Sequence, residues 1–238
     1  MPVEHPSLQM KGVHAHYGPS HVLQGVTLDV AAGKVTAIVG RNGVGKTTLM
    51  NTIMGLVPAT AGSVLVGGQD LVRLPASYRK RLGLALVPQG RRLFRSLTVD
   101  EHLNLVPPGR ESRFTREWIL ELFPRLAERR TALARTLSGG EQSMLSIARA
   151  LITSPSILLM DEPTEGLAPL LIDNVRQAVA TMRTMGLSIL LVEQNLAFAL
   201  SVADRVAVMK RGTIVRVYER DEIGDVAALS TLILAGTD

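Results

Sequence analysis

Short apolar runs recur along the chain, and each ends at a glycine or at a cluster of polar residues. They include "SVLVGG", "KVTAIVG", "GLALVPQ", "SILLM", "SILLVEQ" and "RVAVMK". Runs this short predict strands that are covered on both faces. Helical patterns lie between several of them, at residues 45–54, 141–153 and 170–185. Buried strands that alternate with helices predict an α/β fold with a mostly parallel sheet between helices.

Two segments depart from this alternation. Near the N-terminus, "LQMKGVHAHYG" and "HVLQGVTLDV" alternate around a Gly-Pro turn, which predicts an antiparallel β subdomain. Residues 90–136 show helical periods, a break at "PPG" (residues 107–109) and no convincing strand, so they predict a helical subdomain inserted into the core. We expect one domain over residues 1–238, ending in a helical extension at about 221–238.

Composition excludes several classes of protein. Hydrophobic residues make up 46% and aromatic residues only 3%, so a large aliphatic core is expected. The chain has no cysteine, which excludes disulfides, thiolate zinc sites and a cysteine nucleophile. No apolar run approaches the roughly 18 residues that a membrane span needs, and the N-terminus lacks a signal-peptide pattern. The absence of cysteine also fits a cytosolic protein. The net charge of +5 comes without an aromatic-interleaved basic patch, so we expect no nucleic-acid partner.

The stretch "GRNGVGKTT" matches the phosphate-binding loop pattern in full, and it lies between a predicted strand and a predicted helix. Its glycines let successive backbone N–H groups face a phosphate, and the helix N-terminus adds partial positive charge. We expect Lys46 to reach the β- and γ-phosphates and the Thr47 hydroxyl to ligate Mg²⁺. The predicted nucleotide-binding residues of this loop are Gly40, Arg41, Asn42, Gly43, Val44, Gly45, Lys46, Thr47 and Thr48.

A second run, "SILLMDEP", ends on two acids. An acid at the end of a strand beside the phosphate loop is well placed to hold Mg²⁺ through water, and we expect Asp161 to do so. Glu162 is expected to alternate to the other side of the strand and to polarise the water that attacks the γ-phosphate. Together with the loop, these residues predict hydrolysis of a nucleoside triphosphate.

A third motif, "LSGGEQ", opens a long predicted helix. Ser138 is a good N-cap, and the two glycines that follow leave backbone N–H groups approachable. The motif lies between the phosphate loop and the acidic strand end. That order resembles the ATP-binding subunit of an ABC transporter, and the resemblance runs from Tyr17 to about Val217.

The resemblance implies a P-loop NTPase fold of the ABC ATPase type, with ATP and Mg²⁺ as its ligands. Tyr17 resembles the aromatic residue that stacks on adenine in this family. Gln89, at the end of "LALVPQ", resembles the glutamine that contacts Mg²⁺ and links the core to the helical subdomain. The implied Mg²⁺ site is therefore formed by Thr47, Gln89 and Asp161.

The resemblance also implies partners. Two ATP-binding subunits of this family sandwich two ATP molecules, and the signature of one closes on the γ-phosphate held by the other. The second subunit can be a related protein or another copy, and two membrane-spanning permease subunits dock on the helical subdomain. A solute-binding protein acts indirectly, and the chain is expected at the cytoplasmic face of the membrane as a peripheral subunit. The signature residues are Ser138, Gly139, Gly140, Glu141 and Gln142.

Further segments narrow the resemblance to one branch of the family. "VPQGRRLFRSLTVDEHL", "ELFPRLAERR", "DEPTEGLAP" and "LLVEQN" resemble the second ATP-binding subunit of branched-chain amino acid importers. "GRNGVGKTT" and "YGPSHVLQGV" are also similar to urea and short-amide importers. A soluble ABC ATPase of translation or DNA repair fits less well, because a second copy and a long coiled coil are absent. An exporter motor and a non-enzymatic nucleotide-binding regulator are the remaining alternatives; the presence of Glu162 argues against the regulator.

Two positions depart from the family pattern. Ala168 stands where most ABC subunits have an aspartate, so the hydrogen bonds that an aspartate makes across the dimer are lost unless neighbouring backbone replaces them. Gln194 stands where most have a histidine, and none of the five histidines lies beyond residue 102. A glutamine amide donates a hydrogen bond but carries no titrating proton. We therefore expect Gln194 to sense the γ-phosphate by hydrogen bonding while Glu162 alone acts as the base.

Overall fold

The computed structural model describes residues 8–105 and 113–222. Within these ranges the strands are β1 (Leu8–Tyr17), β2 (Ser20–Val30), β3 (Val35–Val39), β4 (Ala59–Val66), β5 (Gln69–Asp70), β6 (Leu84–Val87), β7 (Ile157–Asp161), β8 (Ser188–Glu193), β9 (Arg205–Lys210) and β10 (Thr213–Glu219). The helices are α1 (Lys46–Ile53), α2 (Ala76–Arg81), α3 (Val99–Asn104), α4 (Arg116–Leu122), α5 (Pro124–Glu128), α6 (Gly139–Leu151), α7 (Pro169–Thr184) and α8 (Leu196–Val202).

The strands form two sheets, as the hydrophobic pattern predicts. The larger sheet has the order β10-β9-β3-β8-β7-β6, in which every neighbouring pair is parallel except the edge pair β10–β9. The smaller sheet, β2-β1-β4-β5, is antiparallel throughout. The predicted α/β architecture with an antiparallel β subdomain is confirmed.

Both faces of the parallel sheet are covered, which explains why its strands are apolar without interruption. Every residue of β3, β7 and β8 is buried. Along β3, Val35, Ala37 and Val39 pack with α6, α7 and α8, whereas Ile38 packs with α1 and the antiparallel sheet. Each aliphatic side chain buried this way contributes about 1.5–3 kcal/mol. The sheet thus has two apolar layers, one on each side, that fix its position between helices and the β subdomain.

The described part of residues 90–136 is helical. It contains α3, α4, α5 and a short 3-10 helix at Ala134–Thr136, and one isolated bridge joins Thr98 to Leu133. Thr98 caps α3 in a capping box with Glu101, and Thr115 caps α4. The expected break at residues 107–109 and most of the expected C-terminal extension, residues 223–238, lie outside the described residues.

Three elements have a weak signal in the sequence. β5 is only two residues long and α2 only six, and β10 carries Arg216 between the exposed residues Val215 and Val217. β10 lies at the edge of the sheet, where one side of the strand faces solvent and the apolar pattern is interrupted. Among the described residues, no helix has both the length and the apolar character needed to cross a bilayer.

The parallel strands bring several polar residues to one edge of the sheet. Val39 pairs with Glu193, and Asp161 pairs with Val192, so β3, β7 and β8 end side by side. The phosphate loop follows β3 directly, and Gln89 follows β6 by two residues. Ligands of open α/β sheets bind at the carboxyl ends of the strands, which places the candidate site here.

A buried arginine closes the far end of the helix that follows the phosphate loop. Arg79 is 3% exposed, and its guanidinium donates to the carbonyls of Thr52 and Ile53, both at 2.7 Å, at the C-terminus of α1. It also donates to Leu74 O at 3.1 Å and to Val72 O at 3.4 Å. Burial lowers the pKa of Arg79, partly offset by Asp70. A cation at a helix C-terminus is favourable, so Arg79 stabilises the C-terminal end of α1.

Arg79→Met is expected to destabilise the chain by about 2–4 kcal/mol, because it leaves several buried carbonyls without a donor. Urea unfolding at neutral pH measures the change. The neighbouring exposed Lys80 provides the control, and Lys80→Met is expected to stay within about 0.5 kcal/mol of wild type. Equal effects of the two variants would show that the buried hydrogen bonds contribute little.

Candidate active site

The phosphate loop fits closely between the sheet and its neighbours. A methyl group at Gly40 would lie 2.5 Å from the carbonyl oxygen of Met209, so only glycine fits there. Gly45 is the N-cap of α1, and Val44 O accepts a hydrogen bond from Gly212 N at 2.9 Å. The loop is therefore held by the backbone of β9 and of the turn that follows it.

Lys46 lies across the loop that it follows. Its side chain is buried, with 4% of the residue exposed, and Nζ donates to Gly40 O at 2.9 Å and to Arg41 O at 3.1 Å. The same ammonium group lies 3.1 Å from Glu162 Oε1. Lys46 thus joins the phosphate loop to the acid predicted as the catalytic base.

Thr47 and Asp161 form the second link between the loop and β7. The Thr47 hydroxyl donates to Asp161 Oδ1 at 3.2 Å. Burial raises the pKa of the Asp161 carboxyl from 3.8 to about 6, the Thr47 hydrogen bond lowers it, and the negative charge of Glu162 raises it. Hard oxygen donors side by side suit Mg²⁺, which takes one or two carboxylates with water and phosphate oxygens. The residues present therefore fit the predicted metal.

Glu162 reaches the site in a different way from the one predicted. β7 ends at Asp161, and Glu162 has a φ of 48°, in the left-handed region. Its N–H donates to Val192 O at 2.9 Å. The prediction that Glu162 alternates to the other side of the strand is wrong, because a left-handed turn after the strand directs the side chain to Lys46. A non-glycine residue in this conformation stores strain of the kind found at functional sites.

Gln89 is the third side chain at this edge. Its amide nitrogen lies 3.3 Å from Glu162 Oε2 and 3.1 Å from Glu165 Oε2. Since the nitrogen faces these two acids, the carbonyl oxygen Oε1 is the atom with which Gln89 can ligate a cation.

These side chains surround a cleft of about 360 Å³. Tyr17 ends β1, is 51% exposed and is not among the residues that line the cleft. Nor does any signature residue line it. The lining residues are Val22, Asn42, Gly43, Gly45, Lys46, Thr47, Thr48, Gln89 and Glu162.

The signature motif starts α6, as expected from its N-cap. The Ser138 side chain accepts from Glu141 N at 3.3 Å, and Glu141 Oε2 accepts from Ser138 N at 2.7 Å, which is a complete capping box. Gln142 donates to the carbonyls of Ala134 and Leu137. Glu141 and Gln142 therefore make contacts within their own chain, and Ser138, Gly139 and Gly140 form the N-terminal turn of the helix.

Comparison with known proteins identifies the family. A model of the family described as "ABC transporter" matches residues 23–165. The chain belongs to the ABC transporter family of ATP-binding proteins. It is accordingly an ATPase, and the family predicted from the three motifs is confirmed.

The relatives and a solved structure cover most of the chain. The High-affinity branched-chain amino acid transport ATP-binding protein BraG of Pseudomonas aeruginosa is 42% identical over 87% of this chain and 91% of its own. The Probable branched-chain amino acid transport ATP-binding protein LivF of Archaeoglobus fulgidus is 35% identical over 85% and 87%. A crystal structure of the ADP conformation of an ATP-binding cassette of an ABC transporter superposes with a TM-score of 0.85 at 28% identity, covering 98% of this chain and 99% of that one.

The ABC ATPase contains one buried carboxylate that the sequence analysis missed. Glu193 ends β8 and is 2% exposed. Its Oε1 accepts from Thr164 N at 3.1 Å and from Thr164 Oγ1 at 2.6 Å, and its Oε2 accepts from Gln194 N and Asn195 N, both at 3.0 Å. Burial raises its pKa, and these hydrogen bonds oppose the rise. The abrupt stop of "SILLVEQN" on polar residues was the available signal, since a carboxylate in such a position needs several donors.

Gln194 and Ala168 are the two positions that depart from the family pattern, and they lie directly after β8 and directly before α7. The backbone N–H of Gln194 donates to Glu193 Oε2, and the Gln194 side chain is exposed. Ala168 is the N-cap of α7, its side chain has no capping atom, and Pro169 occupies the first helical position. Its carbonyl accepts from Leu171 N at 2.9 Å. The backbone therefore forms a regular helix start without the aspartate.

The raised pKa of Asp161 has a definite consequence for stability in metal-free buffer. The folded chain retains this proton up to about pH 6, whereas the unfolded chain releases it near pH 3.8. This carboxyl therefore favours folding in acid, and its contribution is lost as the pH rises through about 6. Between about pH 4.5 and pH 7, we expect the stability of Asp161→Asn relative to wild type to rise by about 2 kcal/mol.

Urea unfolding at several pH values measures this difference. Asp173→Asn is the matched control, because that carboxylate is exposed, and its difference from wild type is expected to stay flat. Parallel curves for wild type and Asp161→Asn would contradict the raised pKa.

Glu193→Gln is expected to lower the free energy of unfolding by about 1.5–3 kcal/mol at neutral pH. An amide keeps one acceptor oxygen but turns an N–H₂ group toward backbone N–H donors, and the charge-assisted bonds are lost. Chemical denaturation reports the change, with the exposed Glu121→Gln as control. A variant as stable as wild type would mean that the Glu193 carboxylate is not bound as described.

Proposed function

We propose that this ATPase powers the uptake of branched-chain amino acids through separate permease subunits. The observation that carries the proposal is the convergence of Lys46, Thr47, Asp161 and Glu162 at one strand edge, in a chain similar over most of its length to BraG and LivF. The residues at the strand edge support ATP hydrolysis, and the similarity to the two relatives supports the class of solute. Both relatives are named as branched-chain amino acid transport ATP-binding proteins.

Residues in and around the cleft have separate roles in the proposed reaction. Lys46 binds the β- and γ-phosphates, and backbone N–H groups of residues 40–48 surround them. Mg²⁺ would be held by Thr47 Oγ1, by Gln89 Oε1 and, through water, by Asp161, and it would supply positive charge that stabilises the phosphate oxygens. Tyr17, exposed at the end of β1, is the proposed partner of adenine.

Glu162 changes partner when ATP binds. In the structure its carboxylate is bound to Lys46 and Gln89. A γ-phosphate that takes over the Lys46 ammonium leaves the carboxylate free to accept a proton from the attacking water. Gln194 donates a hydrogen bond to a γ-phosphate oxygen and orients it. The base and the sensor are thus separate groups, and only the base titrates.

The signature serves a second ATP-binding subunit in this proposal. Ser138, Gly139 and Gly140 lie outside the lining of the chain's own cleft, and the N-terminal turn of α6 presents N–H groups to an anion. A second subunit, whether a related protein or another copy, brings its ATP to that turn. Residues 90–136 are the proposed docking region for the permeases, and Phe94, 55% exposed in this region, supplies an apolar contact. The chain then lies on the cytoplasmic face of the membrane as a peripheral subunit.

The test is transport by the assembled importer in proteoliposomes. Leucine, presented with its solute-binding protein, is expected to stimulate ATP hydrolysis and to accumulate inside the vesicle. If urea or a short amide stimulates ATP hydrolysis and leucine does not, the proposed solute is wrong, but the protein is still the ATPase of an importer. The absence of any solute response would contradict import.

Glu162→Gln is expected to lower kcat by about 100-fold or more, since it removes the only base. Gln194→Ala is expected to lower kcat by about 10- to 100-fold through loss of one donor to the developing charge. The kinetics of ATP hydrolysis by the reconstituted transporter measure both. Unchanged turnover in Gln194→Ala contradicts the sensor role.

The pH–rate profile separates a hydrogen-bonding sensor from a titrating one. Wild type is expected to show no ionisation near pH 6.5 from position 194, whereas Gln194→His introduces one because an imidazole titrates there. Identical profiles for the two proteins would mean that position 194 does not contact the reacting phosphate.

A further inference from the structure

Arg91 joins the loop after Gln89 to the signature helix of the same chain. Its Nε donates to Ser143 Oγ at 3.0 Å, and its Nη1 donates to Gln142 Oε1 at 3.3 Å. The guanidinium also packs against the start of the helix, because a methyl group at Gly139 would lie 3.2 Å from Nη2. One planar cation therefore contacts the first turns of α6 at three positions.

The backbone around Arg91 has an unusual conformation. Gly90, Arg91 and Arg92 have φ angles of 73°, 65° and 43°, so three consecutive residues are left-handed, and two of them are not glycine. Such a conformation persists only where surrounding contacts hold it. Here the Arg91 carbonyl accepts from Ser146 Oγ at 3.1 Å, and the Arg92 carbonyl accepts from Arg149 Nη1 at 2.9 Å. All of these contacts come from α6.

The other end of the same loop touches the catalytic carboxylate. The Gln89 amide nitrogen lies 3.3 Å from Glu162 Oε2, and only Gly90 separates Gln89 from Arg91. A cavity of about 370 Å³ lies between these groups, lined among others by Gly90, Arg91, Gln142 and Glu162. The loop therefore has room to move on the side where Glu162 changes partner.

We propose that Arg91 is a positioning residue that sets the orientation of the signature helix according to the state of Gln89 and Glu162 in the same subunit. When Glu162 exchanges Lys46 for water, Gln89 shifts with it, and the rigid fork of Arg91 carries the shift to Gln142 and Ser143. The inference rests on the proposed function, in which the signature closes on the ATP of a second subunit. ATP bound in the cleft of this subunit then orients the signature that closes on the ATP of the second subunit.

The chemistry of the guanidinium suits this role. Its donors are fixed in one plane, so two hydrogen bonds to neighbouring residues define an orientation, whereas an ammonium acts as a single flexible point charge. Ala168 lacks the carboxylate that would otherwise connect the two sites across the dimer. The Arg91 contacts instead connect the cleft of this chain to its own signature, through the loop backbone and α6.

The variants are Arg91→Met, which removes the donors, and Arg91→Lys, which keeps the charge but loses the fork. Arg73→Met is the matched control, since Arg73 is an exposed arginine outside the proposed docking region. In the assembled transporter, both Arg91 variants are expected to lower kcat about 10-fold while KM for ATP stays within about twofold. Urea midpoints of all three variants are measured alongside. Wild-type kcat in Arg91→Lys overturns the proposal.

A second arrangement locates the defect. The transporter is assembled with a distinct second ATP-binding subunit, and this chain carries Gln194→Ala, which leaves the Lys46–Glu162 pair intact. Most of the remaining turnover then comes from the ATP held by the second subunit and closed by this chain's signature. Adding Arg91→Met to the same chain is expected to lower that turnover by about 10-fold again. Gln142→Ala is expected to lower it as well, and the combination of Arg91→Met with Gln142→Ala to add little to either change alone. Equal turnover with and without Arg91→Met, or full additivity with Gln142→Ala, contradicts the proposal.

The two proposals can fail separately. Stimulation of ATP hydrolysis by leucine tests import, whereas the ratio of variant to wild-type turnover tests Arg91 and does not depend on the solute. If leucine stimulates the wild-type and the Arg91→Lys transporter equally, the proposed import function stands and the proposed role of Arg91 is contradicted.

Discussion

The buried ion pair between Lys46 and Glu162 is the contact on which the arrangement of the active site depends. Lys46 is the first residue of α1, and the pair places its ammonium group against Glu162, one of two adjacent acids at the end of β7. Without Lys46, Asp161 and Glu162 would repel each other in a buried setting, and removing one partner of such a pair costs about 3–5 kcal/mol. In the proposed reaction, the phosphate takes over the same ammonium group that balances these two acids.

In the proposed reaction, the exchange of Lys46 from Glu162 to a phosphate links binding to catalysis. A phosphate that enters the cleft competes with Glu162 for Lys46, so part of its binding free energy replaces an existing interaction. After the exchange, the Glu162 carboxylate has one fewer hydrogen-bonding partner and lies next to the γ-phosphate. The hydrogen bond that Glu162 N donates to Val192 O keeps the backbone of this residue in place while its side chain changes partner.

The parts of the site that the sequence predicts are those whose chemistry is local. The phosphate loop, the N-cap at Ser138 and the acid at the end of β7 each depend on neighbours within a few residues, and the apolar runs predict the parallel sheet because both of its faces are buried. The left-handed turn at Glu162, the four donors around Glu193 and the contacts of Arg91 depend on residues far away in the chain. No periodicity in the sequence reports which distant donor meets a buried acceptor.

The second glycine of the signature is constrained by packing as well as by its proposed ligand. A methyl group at Gly140 would lie 2.6 Å from Leu171 Cδ1, at the start of the helix that follows Ala168. A larger residue there must shift the flexible side chain of Leu171, and so the packing of α7 on this turn. In a mutational scan, position 140 would therefore report on packing as well as on nucleotide contact. Loss of transport at that position identifies a nucleotide contact only once the amount of folded chain has been matched.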